Sequence, residues 1–180
     1  MRILHLSEKD YKTSIWSGGT TTELFIWPQD ADYAKREFAF RISSAVVELA
    51  ESDFTPLPGV ERWITPLQGG FTLTHPGKTS VIMGPLSEPY RFSGEEPTHC
   101  VGQATDFNLM LKGVTGQMTL CHDAAPVQPG FNCYYAPATA RVWLDREYVL
   151  SAGDLLVVFA EEMGSVKLKN TPVLACHVAI

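Results

Sequence analysis

The sequence predicts an all-β protein with very little helix. Large apolar residues alternate with small or polar ones in residues 38–43, 70–75 and 116–121, which is the period of a β-strand, and helical periodicity is scarce. Turn-forming Gly and Pro separate these segments, as at Pro76-Gly77 and Pro129-Gly130. Many short strands spaced by such turns are typical of a sandwich or barrel.

Other segments have the composition of strands: 62–66, 78–83, 133–135, 141–144, 155–159, 166–169 and 173–178. Residues 45–51 are the best candidate for a short helix, which would end before Pro56. A strand, a Gly-centred turn and a second strand occur around both Gly77 and Gly153, which suggests two similar halves. The segment 85–97 contains three prolines and is expected to form the crossover between the two halves. We therefore predict one unit, 1–180, with halves 1–90 and 91–180.

Composition and charge limit the possible partners. With 45% hydrophobic and 11% aromatic residues, the 180-residue chain can form a substantial core. It carries 14 basic and 20 acidic residues, a net charge of −6, and its cations are not clustered. Phosphate binding requires clustered cations, so we expect no nucleic-acid partner.

No segment suggests a membrane span or a secretion signal. The longest uninterrupted apolar run is residues 155–160, far shorter than the roughly 20 residues of a span. Charged residues occur before any signal-like hydrophobic region at the N-terminus, so we expect no membrane partner and a cytoplasmic location. The four cysteines lack a C-x-x-C spacing and are expected to be buried thiols.

Two separated motifs have the character of parts of one site. The first runs from Trp16 through Gly18-Gly19 to Glu23, and its glycines permit a turn that approaches another backbone closely. The second, residues 106–110, alternates so that Asp106, Asn108 and Met110 face away from Phe107 and Leu109. Buried polar groups cost about 1–3 kcal/mol without a partner, so the polar side of this strand needs one. A packed turn and a solvated edge strand are the simpler alternatives.

Common catalytic and cofactor patterns are missing from the sequence. The five histidines are dispersed, without the H-x-H or H-x-x-x-H spacing of a metal site. There is no G-x-S-x-G elbow, P-loop or G-x-G-x-x-G fingerprint. We therefore expect no metal, no nucleotide cofactor and no catalytic residues of these classes.

Arg41 is the main candidate for binding an anion. In the predicted strand it shares a face with Ser43 and Ala45, small residues that leave room beside a guanidinium. It either faces solvent or clamps a ligand carboxylate through two hydrogen bonds. Arg62, by contrast, is predicted to lie at the rim, next to Trp63, whose aromatic ring is predicted to pack against its neighbours.

Six linked motifs over residues 10–113 resemble the HutD/Ves family. They are W-x-G-G-x-T-x-E at 16–23, F-R-I-S-x-A at 40–45, F-x-x-L-P-G-V-E-R at 54–62, L-x-G-G at 67–70, P-Y-R-F-S-G at 89–94 and D-F-N-L-M at 106–110. The chain has Ser17 where the family usually has Asn. Beyond Gly113 the similarity is limited to a Gly-Asp turn and the β-rich character.

The resemblance implies a fold, a role and a set of site residues. The implied fold is a cupin-type double barrel, or bicupin, without the His-rich metal motif of catalytic cupins. The implied role is that of a governor of histidine utilisation, sensing a metabolite such as urocanate or formylglutamate. The shared ligand-binding pocket would be formed by Trp16, Glu23, Arg41, Ser43, Phe107, Asn108 and Met110.

Three hypotheses follow. The leading one is a metal-free protein that binds a small carboxylate metabolite, with Arg41 pairing the carboxylate, Asn108 and Ser43 hydrogen-bonding the rest, and Trp16, Phe107 and Met110 as apolar walls. The second is an isomerase- or hydrolase-type enzyme on the same scaffold, with Glu23 or Asp106 as general base. The third is a structural module that forms a homodimer through exposed strands.

Overall fold

The computed structural model describes residues 1–169 and 171–180, and the regular secondary structure of these residues is almost entirely β-strand. Two 3-10 turns, Glu8–Asp10 and Tyr33–Lys35, interrupt the strands. None of the helices in the described part of the chain is long and apolar enough to cross a bilayer. In chain order the strands are β1 (Arg2–Leu6), β2 (Lys12–Trp16), β3 (Gly19–Trp27), β4 (Phe40–Val47), β5 (Glu51–Asp53), β6 (Val60–Gly69), β7 (Phe71–Thr74), β8 (Val81–Met83), β9 (Tyr90–Ser93), β10 (His99–Val101), β11 (Ala104–Lys112), β12 (Thr115–Cys121), β13 (Ala124–Val127), β14 (Gly130–Tyr135), β15 (Ala140–Trp143), β16 (Glu147–Leu150), β17 (Leu155–Ala160), β18 (Gly164–Lys169) and β19 (Val173–Ala179).

The all-β prediction is confirmed, but the predicted helix at 45–51 is wrong. Strand β4 continues to Val47, where Val46 is paired with Thr20 of β3 and Thr105 of β11. Branched side chains such as Val46 and Val47 favour a strand with neighbours on both sides. Pairing therefore outweighs the weak helical propensity of this segment.

The chain forms two compact units, which do not coincide with the halves 1–90 and 91–180. The central unit comprises residues 12–113, and the terminal unit comprises residues 1–11 and 114–180. The expected boundary after residue 90 falls within β9, which pairs with β6 inside the central unit. The proline-containing segment 85–97 thus contains a strand of this unit.

The central unit consists of two antiparallel sheets. Their strand orders are β2-β3-β4-β11-β6-β9 and β5-β10-β7-β8. The two sheets share an apolar core, to which the first contributes Ile64, Phe92 and Ala104 and the second contributes Phe71, Leu73, Met83 and Cys100. The inward side of the six-stranded sheet is therefore enclosed by the second sheet.

The terminal unit repeats this two-sheet plan. Its strand orders are β1-β17-β14-β19-β12 and β13-β18-β15-β16. Leu156 and Val158 of the first sheet pack with Val142, Leu150 and Val166 of the second. The four cysteines are buried thiols, as predicted, and burial raises the pKa of the Cys176 thiol.

Candidate functional site

The inward side of the six-stranded sheet carries a group of polar and charged side chains. Strand register sets Ser43 opposite both Glu23 and Asn108, and Met110 opposite both Arg41 and Arg62. Residues directly opposite in an antiparallel pair project to the same face. The polar cluster defined by this face consists of Glu23, Arg41, Ser43, Arg62, Asp106 and Asn108.

Arg41 is buried and already engaged on two sides. Its Nε donates to Glu23 Oε2 at 2.7 Å, and its Nη1 donates to Ser43 Oγ at 3.5 Å. One face of the guanidinium lies against Tyr33, with Cζ 3.9 Å from the ring centroid. Glu23 therefore accepts from one of the Arg41 donors that we predicted to bind a ligand carboxylate.

Arg62 is the second buried cation of the cluster, and the prediction that it lies at the rim is wrong. It is 8% exposed, and its Nη2 donates to Asn108 Oδ1 at 3.2 Å. Its guanidinium lies near two aromatic rings, 4.8 Å from the centroid of Phe54 and 5.2 Å from that of Phe92. Among the described residues, its buried Nε has no hydrogen-bond partner.

Asp106 connects Asn108, and through it Arg62, to the backbone of β4. Its Oδ1 accepts the Ala45 N–H at 3.1 Å and the Asn108 Nδ2–H at 2.5 Å. The Ser44 hydroxyl donates to the Asp106 carbonyl oxygen at 2.7 Å. Asn108 thus links the carboxyl group to Arg62 and fixes the orientation of both.

Two irregularities in the strand ladder coincide with the two carboxylates. The register between β3 and β4 shifts between Glu23 and Phe25, and that between β11 and β6 shifts between Thr105 and Asp106. Such bulges re-aim side chains and are common beside functional sites. The two acidic side chains of the polar cluster, Glu23 and Asp106, therefore each lie beside an irregularity of the ladder.

Burial is the largest influence on the pKa values of Asp106 and Arg62 in the cluster. It raises the pKa of Asp106 from 3.8 to about 7, although the Ala45 N–H, the Arg62 charge and the Asn108 amide each lower it. Burial also lowers the pKa of Arg62, opposed mainly by the charge of Asp106. An arginine remains protonated in proteins, so the cluster holds two cations against one carboxylate and one group that titrates near neutral pH.

The structure brings together Glu23, Arg41, Ser43, Asn108 and Met110. Phe107 is not part of this group, because it lies opposite Ser44 and Thr65 and so projects to the other face of the sheet. Strand alternation makes it impossible for neighbours such as Phe107 and Asn108 to line the same side. Phe107 therefore supports the fold and does not line the polar cluster.

Trp16 also lies apart from the cluster, at the end of β2, and is 39% exposed. Its ring covers Gly18, where an added Cβ would lie 2.1 Å from it. At Gly19, with φ of +149°, an added Cβ would lie 1.8 Å from the Val46 carbonyl oxygen. The glycine pair thus has the predicted close backbone approach, and it forms a hairpin.

Sequence reasoning missed two residues of this region, Arg62 and Tyr33. Arg62 could have been found, because it alternates with the apolar Ile64 on an inward strand face. Tyr33 lies in a 3-10 turn between strands, where no periodicity predicts the direction of a side chain. Within the described residues, no group of three His, Cys, Asp or Glu side chains is arranged to hold a metal ion.

The two-sheet antiparallel units with an enclosed interior have a cupin-type β fold. Structural similarity agrees, since Escherichia coli YhhW matches with a TM-score of 0.64 at 11% identity, covering 99% of this chain and 98% of that chain. A mutant of Bacillus subtilis oxalate decarboxylase matches with a TM-score of 0.62 at 11% identity, over 97% of this chain and 76% of that chain.

The chain belongs to the HutD family, whose model matches residues 8–176. This family is associated with histidine utilisation. HutD from Pseudomonas fluorescens SBW25 matches with a TM-score of 0.83 at 22% identity, covering 99% of this chain and 98% of that chain. A conserved protein of unknown function from Pseudomonas aeruginosa PAO1 matches with a TM-score of 0.80 at the same identity and coverage. No curated protein sequence matches the chain.

Proposed function

We propose that this protein binds a small carboxylate metabolite in the central unit without a metal ion, and that its two units are the two barrels of a bicupin. The ligand carboxylate contacts the guanidinium groups of Arg62 and Arg41. Asn108 and Ser43 supply hydrogen bonds, and Met110 supplies apolar contact. This adds the cation Arg62 to the pocket that we predicted from the sequence.

The observation that carries the proposal is the buried Nε of Arg62, which has no hydrogen-bond partner among the residues that the structure describes. A buried charged group without its hydrogen bonds is costly, because burial removes the water that would solvate it. A carboxylate oxygen is the acceptor that best suits a guanidinium N–H, and a bidentate contact fixes its orientation. The site therefore lacks one acceptor, and an anion supplies it.

The charge of the polar cluster supports the same ligand class. Arg41 is neutralised by Glu23, whereas Arg62 faces Asp106, a group with a pKa of about 7. When Asp106 is protonated, Arg62 is an uncompensated cation. A bound anion would then restore charge balance in the interior.

The family suggests which carboxylates to test. We propose that the protein is a governor of histidine utilisation that senses urocanate or formylglutamate, since both are carboxylates and the HutD family is associated with that pathway. The Pseudomonas fluorescens HutD structure was determined in a formate condition, so formate is a useful minimal probe.

The test is thermal unfolding with formate, urocanate, formylglutamate and histidine. At a hundredfold excess over Kd, a ligand specific for the folded state stabilises it by about 2.7 kcal/mol, which raises Tm by roughly 5–10 °C for a chain of this length. Arg62→Ala and Arg41→Ala are each expected to abolish most of the shift relative to their own ligand-free Tm. Arg91→Ala is the matched control, since Arg91 is an exposed arginine of the same unit whose partner is Glu61.

Equal shifts in the Arg62→Ala and Arg91→Ala proteins would contradict a carboxylate bound at the cluster. The proposal would also fail if none of these four compounds, nor other small carboxylates, changed the Tm of the unsubstituted protein.

One observation favours the second candidate, an enzyme acting on the same class of carboxylate. A general base works best with a pKa near the operating pH, and burial places that of Asp106 at about 7. The hydrogen bonds of the Asp106 carboxyl group within the described residues both go to Oδ1. A carboxylate that raises the Tm of the protein is then incubated with it and followed by NMR. A new product that is not formed by the Asp106→Asn variant indicates catalysis, whereas an unchanged ligand spectrum indicates binding alone.

A further inference from the structure

The connection between β3 and β4 is much longer than its geometry requires. The two strands are antiparallel neighbours, with Trp27 opposite Phe40, and such neighbours are usually joined by about 2–5 residues. Here residues 28–39 lie between them. The Ala39 N–H donates to the Trp27 carbonyl at 2.8 Å, so the ends of this segment, the cover loop, meet as in an Ω-loop. Compact loops of this kind are frequently functional.

The cover loop holds Tyr33 directly on Arg41. The guanidinium of Arg41 lies 3.9 Å from the ring centroid, and that of Arg36 lies 4.2 Å from it. Tyr33 is half-buried and its neighbours Asp32 and Ala34 are exposed, whereas Arg41 is only 5% exposed. The ring therefore separates Arg41 from solvent.

Several contacts fix the loop in this position. Arg36 donates to the Tyr33 carbonyl through its backbone N–H at 3.0 Å and through Nη1 at 2.9 Å. Lys112 Nζ of β11 donates to the Arg36 carbonyl. Tyr33 also packs on the apolar cluster that includes Phe38 and Met110. Residues 32–37 of the loop, which precede the buried Phe38, are half-buried or exposed, as in segments that open locally without global unfolding.

We propose that Tyr33 is a further specificity-determining residue of the site: its ring closes the entrance to the Arg41 guanidinium, which becomes accessible when the cover loop opens. The consequence for a ligand carboxylate rests on the proposed function. A small anion reaches Arg41 in brief openings, and a larger carboxylate binds only if the ring moves aside or packs against it.

The test measures access to Arg41 without a natural ligand. Methylglyoxal, a small 1,2-dicarbonyl that adds to guanidinium groups, is reacted with the folded protein, and labelling at Arg41 is followed by peptide mass spectrometry. Arg91, whose side chain is 62% exposed, is the internal reference. The loss of a cation–π contact shifts an opening equilibrium roughly 5–30-fold, so Tyr33→Ala should speed Arg41 labelling by that factor. Tyr33→Phe, which keeps the ring, should leave the rate unchanged.

Tyr33→Leu keeps apolar packing on the cluster that includes Phe38 but lacks the ring. It replaces Tyr33→Ala as the test variant if the alanine variant unfolds. Faster labelling of Arg41 in either variant, with Arg91 and the Tm nearly unchanged, supports the proposal. Equal Arg41 rates in the unsubstituted, Tyr33→Leu and Tyr33→Ala proteins overturn it. This result does not depend on any carboxylate binding, so it is distinguishable from failure of the proposed function.

Discussion

Asp106→Asn is expected to remove a fall in stability that the unsubstituted protein shows as pH rises from about 4 to about 7. In this window the folded carboxyl holds its proton, whereas the unfolded one, with its ordinary pKa, has lost it. The folded state then binds more protons, so the free energy of unfolding decreases with rising pH. With 1.36 kcal/mol for each unit of pKa difference, the loss is on the order of 4 kcal/mol.

Urea unfolding of both proteins at intervals across this pH range measures the effect. Asparagine keeps an oxygen that can accept the Ala45 N–H, so the contact with β4 can survive the substitution. Asp30→Asn, which removes an exposed carboxylate of the same unit, is the control and should retain the slope of the unsubstituted protein. If Asp106→Asn also retained that slope, Asp106 would not carry the raised pKa.

The same titration predicts the pH dependence of ligand binding. Below about pH 7 Asp106 is neutral and Arg62 is uncompensated, so a ligand that remains ionised should bind more tightly there than at higher pH. Asp106→Asn should make the Kd nearly independent of pH in this range. Isothermal titration with formate or urocanate measures both trends, and a Kd that rose as pH fell toward 5 would contradict the assignment.

Phe107→Ala is expected to cost about 3–5 kcal/mol of stability while leaving carboxylate binding intact. The ring is fully buried, so truncation loses its transfer free energy and leaves a cavity. It projects from the face of β11 opposite to that of Asn108, so the polar cluster keeps its contacts. Urea unfolding gives the stability change, and titration of the folded variant gives the Kd.

Met110→Ala is the matched comparison for Phe107→Ala, because Met110 is also buried on β11 but lies beside Arg41 and Arg62. Both variants should be destabilised, and only Met110→Ala should weaken the ligand. If Phe107→Ala also raised Kd several-fold in the folded protein, the ring would have to contribute to the site from the other side of the sheet.

The sequence was sufficient for the β class and for much of the site, because both depend on local alternation. Period two placed Asp106, Asn108 and Met110 on one side of β11, and Arg41 with Ser43 on one side of β4. The same rule excludes Phe107 from that group, yet the family resemblance had included it. Arg62 follows the alternation of β6 as well, and its proximity to Trp63 and a turn led to its placement at the rim.

By itself, then, the sequence determined an all-β chain of the HutD family with a polar strand face that needs a partner. Only the tertiary structure decided that Arg41 is paired with Glu23 and that the Tyr33 ring lies over the Arg41 guanidinium. It also decided that the Nε of Arg62 has no hydrogen-bond partner within the described part of the chain. Those facts depend on strands distant in the chain and on a loop without periodicity. Local pattern fixes the side of a strand on which a residue lies, whereas pairing and burial fix what it meets there, and burial sets the proton affinity of Asp106.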